Sequence, residues 1–306
     1  MSQTKTPILL IGFNRPDTMQ KVFDEVRKAR PFKLYYAVDG ARSDKDGEEE
    51  KVNLVQAIIQ QVDWPCEVHT LFRTSNRGCG YGPAEAITWA FEQEESLIVL
   101  EDDCVPNQSF FRFCDEMIDM YVNDTRVNIV SGRSHHRGFK AFANQDYIFT
   151  HYAHTWGWAT WKRVWREFDI KMSDFPSFIR EGGALNVFSS KEEGIYYNKL
   201  FGKIYNQIDD ECTHSWDSQW VYTRMKMGGL GIVPAYNLIR NIGEVGTHST
   251  GHQPCFDLEA EEMPFSIRHP KFVTFNREYE EFHFKTHIKM SVPLWKKVIN
   301  RVMRLL

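Results

Sequence analysis

The sequence predicts an α/β protein on a doubly wound sheet, and three observations carry that reading. Apolar, β-favouring runs at 7–13, 32–38, 66–72 and 96–100 alternate with segments of helical periodicity, the order that yields a parallel sheet with right-handed crossovers. A glycine-rich, basic stretch from Arg73 to Pro83 joins the third run to its helix. The fourth run, Ser96-Leu97-Ile98-Val99-Leu100, ends in Glu101-Asp102-Asp103 and is closed by Cys104-Val105-Pro106. An apolar strand of this kind is buried on both faces, so its acids stand at the C-terminal edge, where open α/β sheets bind ligands.

Composition bounds the rest. With 306 residues, 42% hydrophobic and 14% aromatic, the chain can bury a substantial core and is not disordered. We divide it into a main domain at 1–248 and a C-terminal wrap with a final helix at 249–306. Net charge of −4 and a pI near 6.3 give no electrostatic footprint for nucleic acid. The six cysteines are scattered without a C-x-x-C pair, which argues against a zinc module or a disulfide framework and for a reducing cytosol. No leader pattern is visible, and no run approaches the ~20 apolar residues of a membrane span. A cytoplasmic protein is expected, soluble or peripheral on the inner face of the membrane.

In chain order, Pro7 to Phe13 is the first strand. It ends at Asn14-Arg15-Pro16-Asp17, where Pro16 stops the ladder and Asp17 can cap a helix. Met19, Val22, Phe23 and Val26 then mark one helical face. The second strand, Phe32 to Val38, stops at Asp39-Gly40, and a helix at 51–62 follows an acidic connection. Asp39 either contacts a base or ribose, as acids at this place do in other nucleotide folds, or forms an Asp-Gly turn. After the third strand, the loop Asn76 to Gly82 lacks the Lys-Ser/Thr of a P-loop. Its glycines, Arg77 and the following helix N-terminus suit a pyrophosphate.

Three adjacent carboxylates repel one another by about a few kcal/mol at intermediate dielectric. A divalent cation offsets that cost: Mg²⁺ and Mn²⁺ take carboxylate oxygens and keep positions open for phosphates. The alternative is a solvated acidic loop.

At this point the chain resembles a family. Leu97 to Pro106 with Phe110-Phe111-Arg112-Phe113 is similar to the acidic metal motif of the GT-A glycosyltransferases, most of all the N-acetylglucosaminyltransferase I branch and bacterial family 2-like sugar transferases. The resemblance covers 7–248, patchily. It implies a Rossmann-like GT-A fold, with a mixed, mostly parallel sheet flanked by helices. It further implies a nucleoside-diphosphate sugar donor, most readily a UDP-sugar, and Mn²⁺ or Mg²⁺ held chiefly by Asp103. Glu101, Asp102, Asp39, Asn14, Arg15, Arg77 and Gly78 are then expected around the donor.

Beyond the acids, a helix at 110–121 and strands at 127–132 and 147–152 are expected. His135-His136 is either loop decoration or a metal- or phosphate-capable pair. Four tryptophans fall within 156–165. Trp158, Trp161 and Trp165 share one helical face and suit core packing, whereas indole faces also stack on sugars. The resemblance places a Gly-Trp segment at the sugar pocket, so Trp156, Gly157 and Trp158 are expected near the site, with Trp161 and Trp165 in the core. A helix is expected at 196–208.

In Ser215-Trp216-Asp217-Ser218-Gln219-Trp220, Asp217 stands at a helix start, where Asp is a common N-cap. The related transferases keep their general base in a Trp-Asp-Asp-Trp segment here. This chain departs from it, with Ser218-Gln219 in place of the second Asp. Asp217 is therefore the expected base for the acceptor hydroxyl of a glycan or lipid-linked saccharide, in an inverting displacement. His248, in Gly-Thr-His-Ser, resembles the histidine that completes the metal site in many such enzymes; a loop histidine is the other reading.

At the C-terminus, Trp295, Val298, Ile299, Val302, Met303 and Leu306 line one helical face and Lys296, Lys297, Arg301 and Arg304 the others. Such a basic amphipathic helix, 292–306, lies on anionic membrane or packs on protein. The rival function is a non-catalytic sugar-nucleotide, glycan or lipid binder that keeps the fold.

Overall fold

The apolar runs pair with one another in a computed structural model of the chain that describes residues 3–135, 139, 142, 144–208, 213, 215–243 and 258–289. The first half alternates strand and helix: β1 (Ile8–Gly12), α1 (Pro16–Ala29), β2 (Lys33–Val38), α2 (Glu48–Ala57), β3 (Glu67–Phe72), α3 (Gly78–Phe91) and β4 (Ser96–Glu101). Then come β5 (Cys104–Pro106), α4 (Gln108–Met120), β6 (Val127–Ser131), β7 (Tyr147–Thr150), β8 (Trp158–Trp161) and α5 (Lys162–Trp165). The remainder is α6 (Phe175–Arg180), α7 (Lys191–Tyr205), α8 (Asp217–Lys226), β9 (Leu230–Pro234), β10 (Ile239–Asn241) and α9 (Arg277–His283).

Eight strands form one mixed sheet in the order β3-β2-β1-β4-β8-β6-β9-β7. Its first four strands are parallel, as expected for a Rossmann-like arrangement. Beyond β4 two strands are reversed: β8 runs antiparallel to both β4 and β6, and β7 antiparallel to β9, while β6 and β9 are parallel. Leu9, Leu10, Leu97 to Leu100, Ile129 and Val130 are fully buried, which explains why these runs are apolar without alternation.

Several boundaries differ from the sequence reading. Trp158 to Trp161 is a strand, not a helix start: flanked by β4 and β6, it forms ladder hydrogen bonds on both edges, and this tertiary pairing overrides the helical spacing. α7 begins at Lys191, where Ser190 accepts the Glu193 N–H. α3 begins at Gly78, so most of the glycine-rich stretch is helix. A second, two-stranded sheet pairs β10 with β5 and sets Asn241 level with Cys104. Among the described residues, no helix is long and apolar enough to cross a membrane. His248 and 292–306 lie outside the described residues.

Candidate functional site

Strand adjacency builds the site. β1 lies between β2 and β4, with Ile11 level with Ala37 on one side and Glu101 on the other. The segments that follow these strands therefore open along one edge of the sheet. They border a cleft of about 580 Å³, well within the range for a small-molecule site. Asn14, Arg15, Asp39, Gly78, Glu101, Asp102, Asp103 and Trp156 all line it.

The acids are held tightly. Asp102 is buried, and burial together with Asp103 moves its carboxyl up to about 6 even though Arg15 opposes the shift. Glu101 goes further, to about 8, through burial first and then the charges of Asp103, Asp102 and Asp217. Arg15 is the counter-charge: its Nε donates to Asp102 Oδ2 (3.2 Å), and its Nη2 donates to Asp103 Oδ2 (2.9 Å) and to Asp102 Oδ1. Burial pulls the guanidinium pKa down, and the two aspartates more than reverse that. Arg15 therefore faces the acids. Asp103 also accepts from Asn241 Nδ2 at 3.3 Å. The backbone of Gly243 comes so close that a Cβ there would lie 2.3 Å from Asp103 Oδ2.

Asp39 fixes the opposite wall. Its carboxylate accepts the backbone N–H groups of Arg77 (2.9 Å), Gly78 (3.1 Å) and Gly40 (3.0 Å), and the Asn76 amide (3.1 Å). Burial raises its pKa against these donors. The Asp-Gly turn and the cleft position thus coexist in one residue. Gly78 has φ +75°, a conformation that favours glycine and lets the chain enter α3 at this clamp.

Some expected site residues point elsewhere. The Arg77 side chain pairs with Glu85 at 2.7 Å and lies over the Tyr81 ring; it does not line the cleft. Trp158 is fully buried in β8 and packs on Trp216 and Trp220 with ring centroids 5.8 and 5.5 Å away, so it belongs to the core with Trp161 and Trp165. Gly157 is buried at φ +63°, where a Cβ would strike Ile239, and its carbonyl accepts the Gly132 N–H. Of this segment only Trp156 reaches the cleft.

Asp217 is exposed at the first turn of α8 and accepts from Ser215 Oγ (2.5 Å) and the Ser218 N–H (2.8 Å). The tryptophan cluster behind it anchors α8 through Trp216 and Trp220. It lies close enough to Glu101 for its charge to be felt there, although it does not line the cleft.

Among the cleft residues not singled out from the sequence are Arg42, Asn241 and Arg73, the last noted only as the start of the basic stretch. Glu48 holds the first, accepting from the Arg42 backbone N–H (2.8 Å) and Nε (3.0 Å), and it also accepts from Asn14 Nδ2 (2.8 Å). Arg73 pairs with Glu85 at 2.9 Å. A basic residue just after a strand end was the available signal for Arg73; none marked Arg42 or Asn241.

No protein-family model matches the chain, and no curated protein matches it. Among solved structures, it is similar to HddC from Yersinia pseudotuberculosis at 9% identity, over 55% of this chain and 83% of that one, with a TM-score of 0.33. At that level of likeness, the functional reading rests on the cleft itself.

Proposed function

We propose that this chain is a metal-dependent glycosyltransferase of the GT-A type. It would move a sugar from a nucleoside-diphosphate sugar, UDP first among the candidates, to a hydroxyl of a glycan or lipid-linked acceptor. One observation carries the reading: three carboxylates end the central strand inside a cleft whose other walls are Asp39, basic side chains and an indole. The donor set fits a hard divalent cation, being all carboxylate oxygen, with Asp102 buried and Asp103 packed against the bare backbone of Gly243. When bound, Mn²⁺ or Mg²⁺ supplies charge neutralisation to the departing diphosphate.

The chain's own residues divide the remaining work. Asp103 and Asp102 hold the cation once Arg15 has turned away from them. Arg15, Arg42 and Arg73 then offer donors to phosphate oxygens. Asp39 and Asn76 form the wall for base or ribose, and Trp156 offers an aromatic face to the sugar. Asp217 accepts the proton of the acceptor hydroxyl; that oxygen bonds to the anomeric carbon while the bond to the diphosphate breaks, and its electron pair leaves with the diphosphate.

The hydrogen bonds from Arg15 to two of the acids favour one rival. In it Arg15 permanently replaces the cation and the protein binds sugar nucleotides without chemistry. A thermal-shift screen of nucleotides and nucleotide sugars with and without Mn²⁺ tests the donor site by mass action. Stabilisation by UDP or GDP that requires the metal supports the proposal and identifies the base, and no shift with any nucleotide overturns it. Metal-dependent hydrolysis of the donor then separates the enzyme from the binder.

A further inference from the structure

Beside Trp156 four histidines converge from three chain segments, and none of them lines the cleft. His135 follows β6, His154 follows β7, and His283 and His287 lie on α9 and the π-turn (Phe284–Ile288) that continues it. Ring centroids are 4.4 Å apart for His135 and His154, 4.1 Å for His135 and His287, and 5.3 Å for His154 and His287. One ring nitrogen from each of these three falls within 4.8 Å of the other two. We propose that His135, His154 and His287 bind a transition-metal cation of the Zn²⁺ class, at a site separate from the acidic cleft.

The chemistry favours an imidazole-seeking ion over Mg²⁺ or Mn²⁺, because no carboxylate belongs to the triad. Tetrahedral Zn–N bonds of about 2.0–2.1 Å put the nitrogens about 3.4 Å apart. The three rings are half-buried rather than locked in the core, so small rotations close the gap. Ligating histidines must be neutral, and crowding of several imidazoles in a desolvated pocket disfavours their protonation. The fourth histidine completes the arrangement. His283 is fully buried, and its Nε2 lies 3.3 Å from His154 Nε2, so it acts as a positioning residue that fixes the His154 ring.

The scaffold holds the segments together without help from the cation. Glu280, one turn before His283, accepts from Thr150 Oγ1 (3.0 Å) and from the His151 N–H (2.8 Å), and its carboxylate meets His151 Nδ1 at 2.9 Å. This ties α9 to the end of β7. Buried Arg133 sits against Trp156, with its guanidinium 5.1 Å from the ring centroid, and its charge is felt at His154 and His287.

Cobalt(II) is the probe, since a tetrahedral nitrogen site gives strong visible bands whereas octahedral carboxylate coordination gives weak ones. Titrating the full chain with Co²⁺ in a non-coordinating buffer should give one equivalent of strongly absorbing ion. His135→Ala and His287→Ala should each lose the bands, and Asp103→Asn should keep them. If His287→Ala does not fold, His287→Phe keeps an aromatic ring and removes the ligand nitrogen. Absence of strong bands in the unaltered chain, their survival in both histidine variants, or their loss in Asp103→Asn overturns the proposal. The readout is independent of sugar transfer, so it stands or falls apart from the glycosyltransferase reading.

Discussion

Arg15→Met tests how the cleft balances its charge. The substitution keeps the length and apolar stem of the side chain and removes the cation from two carboxylates, of which Asp102 has 6% of its side chain exposed. Breaking a buried ion pair from one side costs about 3–5 kcal/mol when the survivor stays charged. Here the survivor has an escape, because Asp102 already sits at about 6 with Arg15 present. Without Arg15 that pKa rises further and protonation becomes the cheaper state, which limits the electrostatic loss at pH 7 to about 1.4 kcal/mol, the worth of one pKa unit. Lost charge-assisted hydrogen bonds add about 1.5–3 kcal/mol. The expected destabilisation is therefore about 3–4 kcal/mol at pH 7.

The sign of the pH dependence follows from linkage. A carboxyl whose folded pKa is raised stabilises the fold below its unfolded pKa and loses that contribution as pH rises through the folded value. Raising the Asp102 pKa further extends the loss, so the deficit of Arg15→Met grows by about 1.4 kcal/mol per pH unit from about 6 up to the variant's own Asp102 pKa and is level beyond it. Urea unfolding at pH 6, 7 and 8 without metal measures it. Mn²⁺ supplies the second arm: with Arg15 gone only a proton, and no guanidinium, competes for the acids, so the variant should gain more stability from Mn²⁺ at pH 8 than the unaltered chain. A deficit that is flat across pH, or a larger Mn²⁺ gain in the unaltered chain, would refute the idea that Arg15 stands where a cation would sit.

Four further outcomes follow from the same geometry. Asp103→Asn should abolish metal-dependent transfer while thermal unfolding stays within a few degrees of the unaltered chain; full activity would sink the metal assignment. Gly243→Ala places a Cβ 2.3 Å from Asp103 Oδ2, so metal-dependent stabilisation by nucleotide should fall at least tenfold in apparent affinity, measured by calorimetric titration. Asp217→Asn should lower kcat by about 10²–10⁴-fold, the span of general-base contributions, with donor affinity unchanged; equal losses in donor binding would contradict a role confined to the acceptor proton. Glu48, held at about 2 chiefly by Arg42, contributes stability above its unfolded pKa that disappears as pH falls through the folded value. Glu48→Gln should therefore cost about 2 kcal/mol at pH 7, discounted for the partly exposed Arg42, and nothing near pH 2 in acid-unfolding curves.

What the sequence revealed of this fold was local. The strands β1, β2 and β4 are continuous apolar runs because both faces are covered, and that property is written in consecutive residues. The acids were legible for the same reason: they follow directly on such a run. Trp158, Trp161 and Trp165 misled because their spacing satisfies a helical face while the segment is in fact a buried strand running into a single helical turn. Periodicity over eight residues cannot separate these, and only pairing with β4 and β6 does.

The rest of the candidate site depends on which strands are neighbours, and this the residues do not state one by one. Within its own loop Arg15 shows no partner, and the resemblance places it only among the residues around the donor. It becomes the partner of Asp102 and Asp103 only because β1 pairs with β4. Asn241 reaches Asp103 through the short ladder of β10 with β5, two segments too brief to announce themselves. The histidines make the same point. His135 stood out only as half of a loop pair, yet rings that meet it come from beyond β7 and from beyond α9. A charge or ligand cluster assembled by sheet order is invisible along the chain, whereas one assembled at the end of a single strand is not. In this protein the acids are of the second kind and every group that balances, orients or joins them is of the first. Substitutions at Arg15, Asn241 and Gly243 should consequently change what the acids do more than how the chain folds.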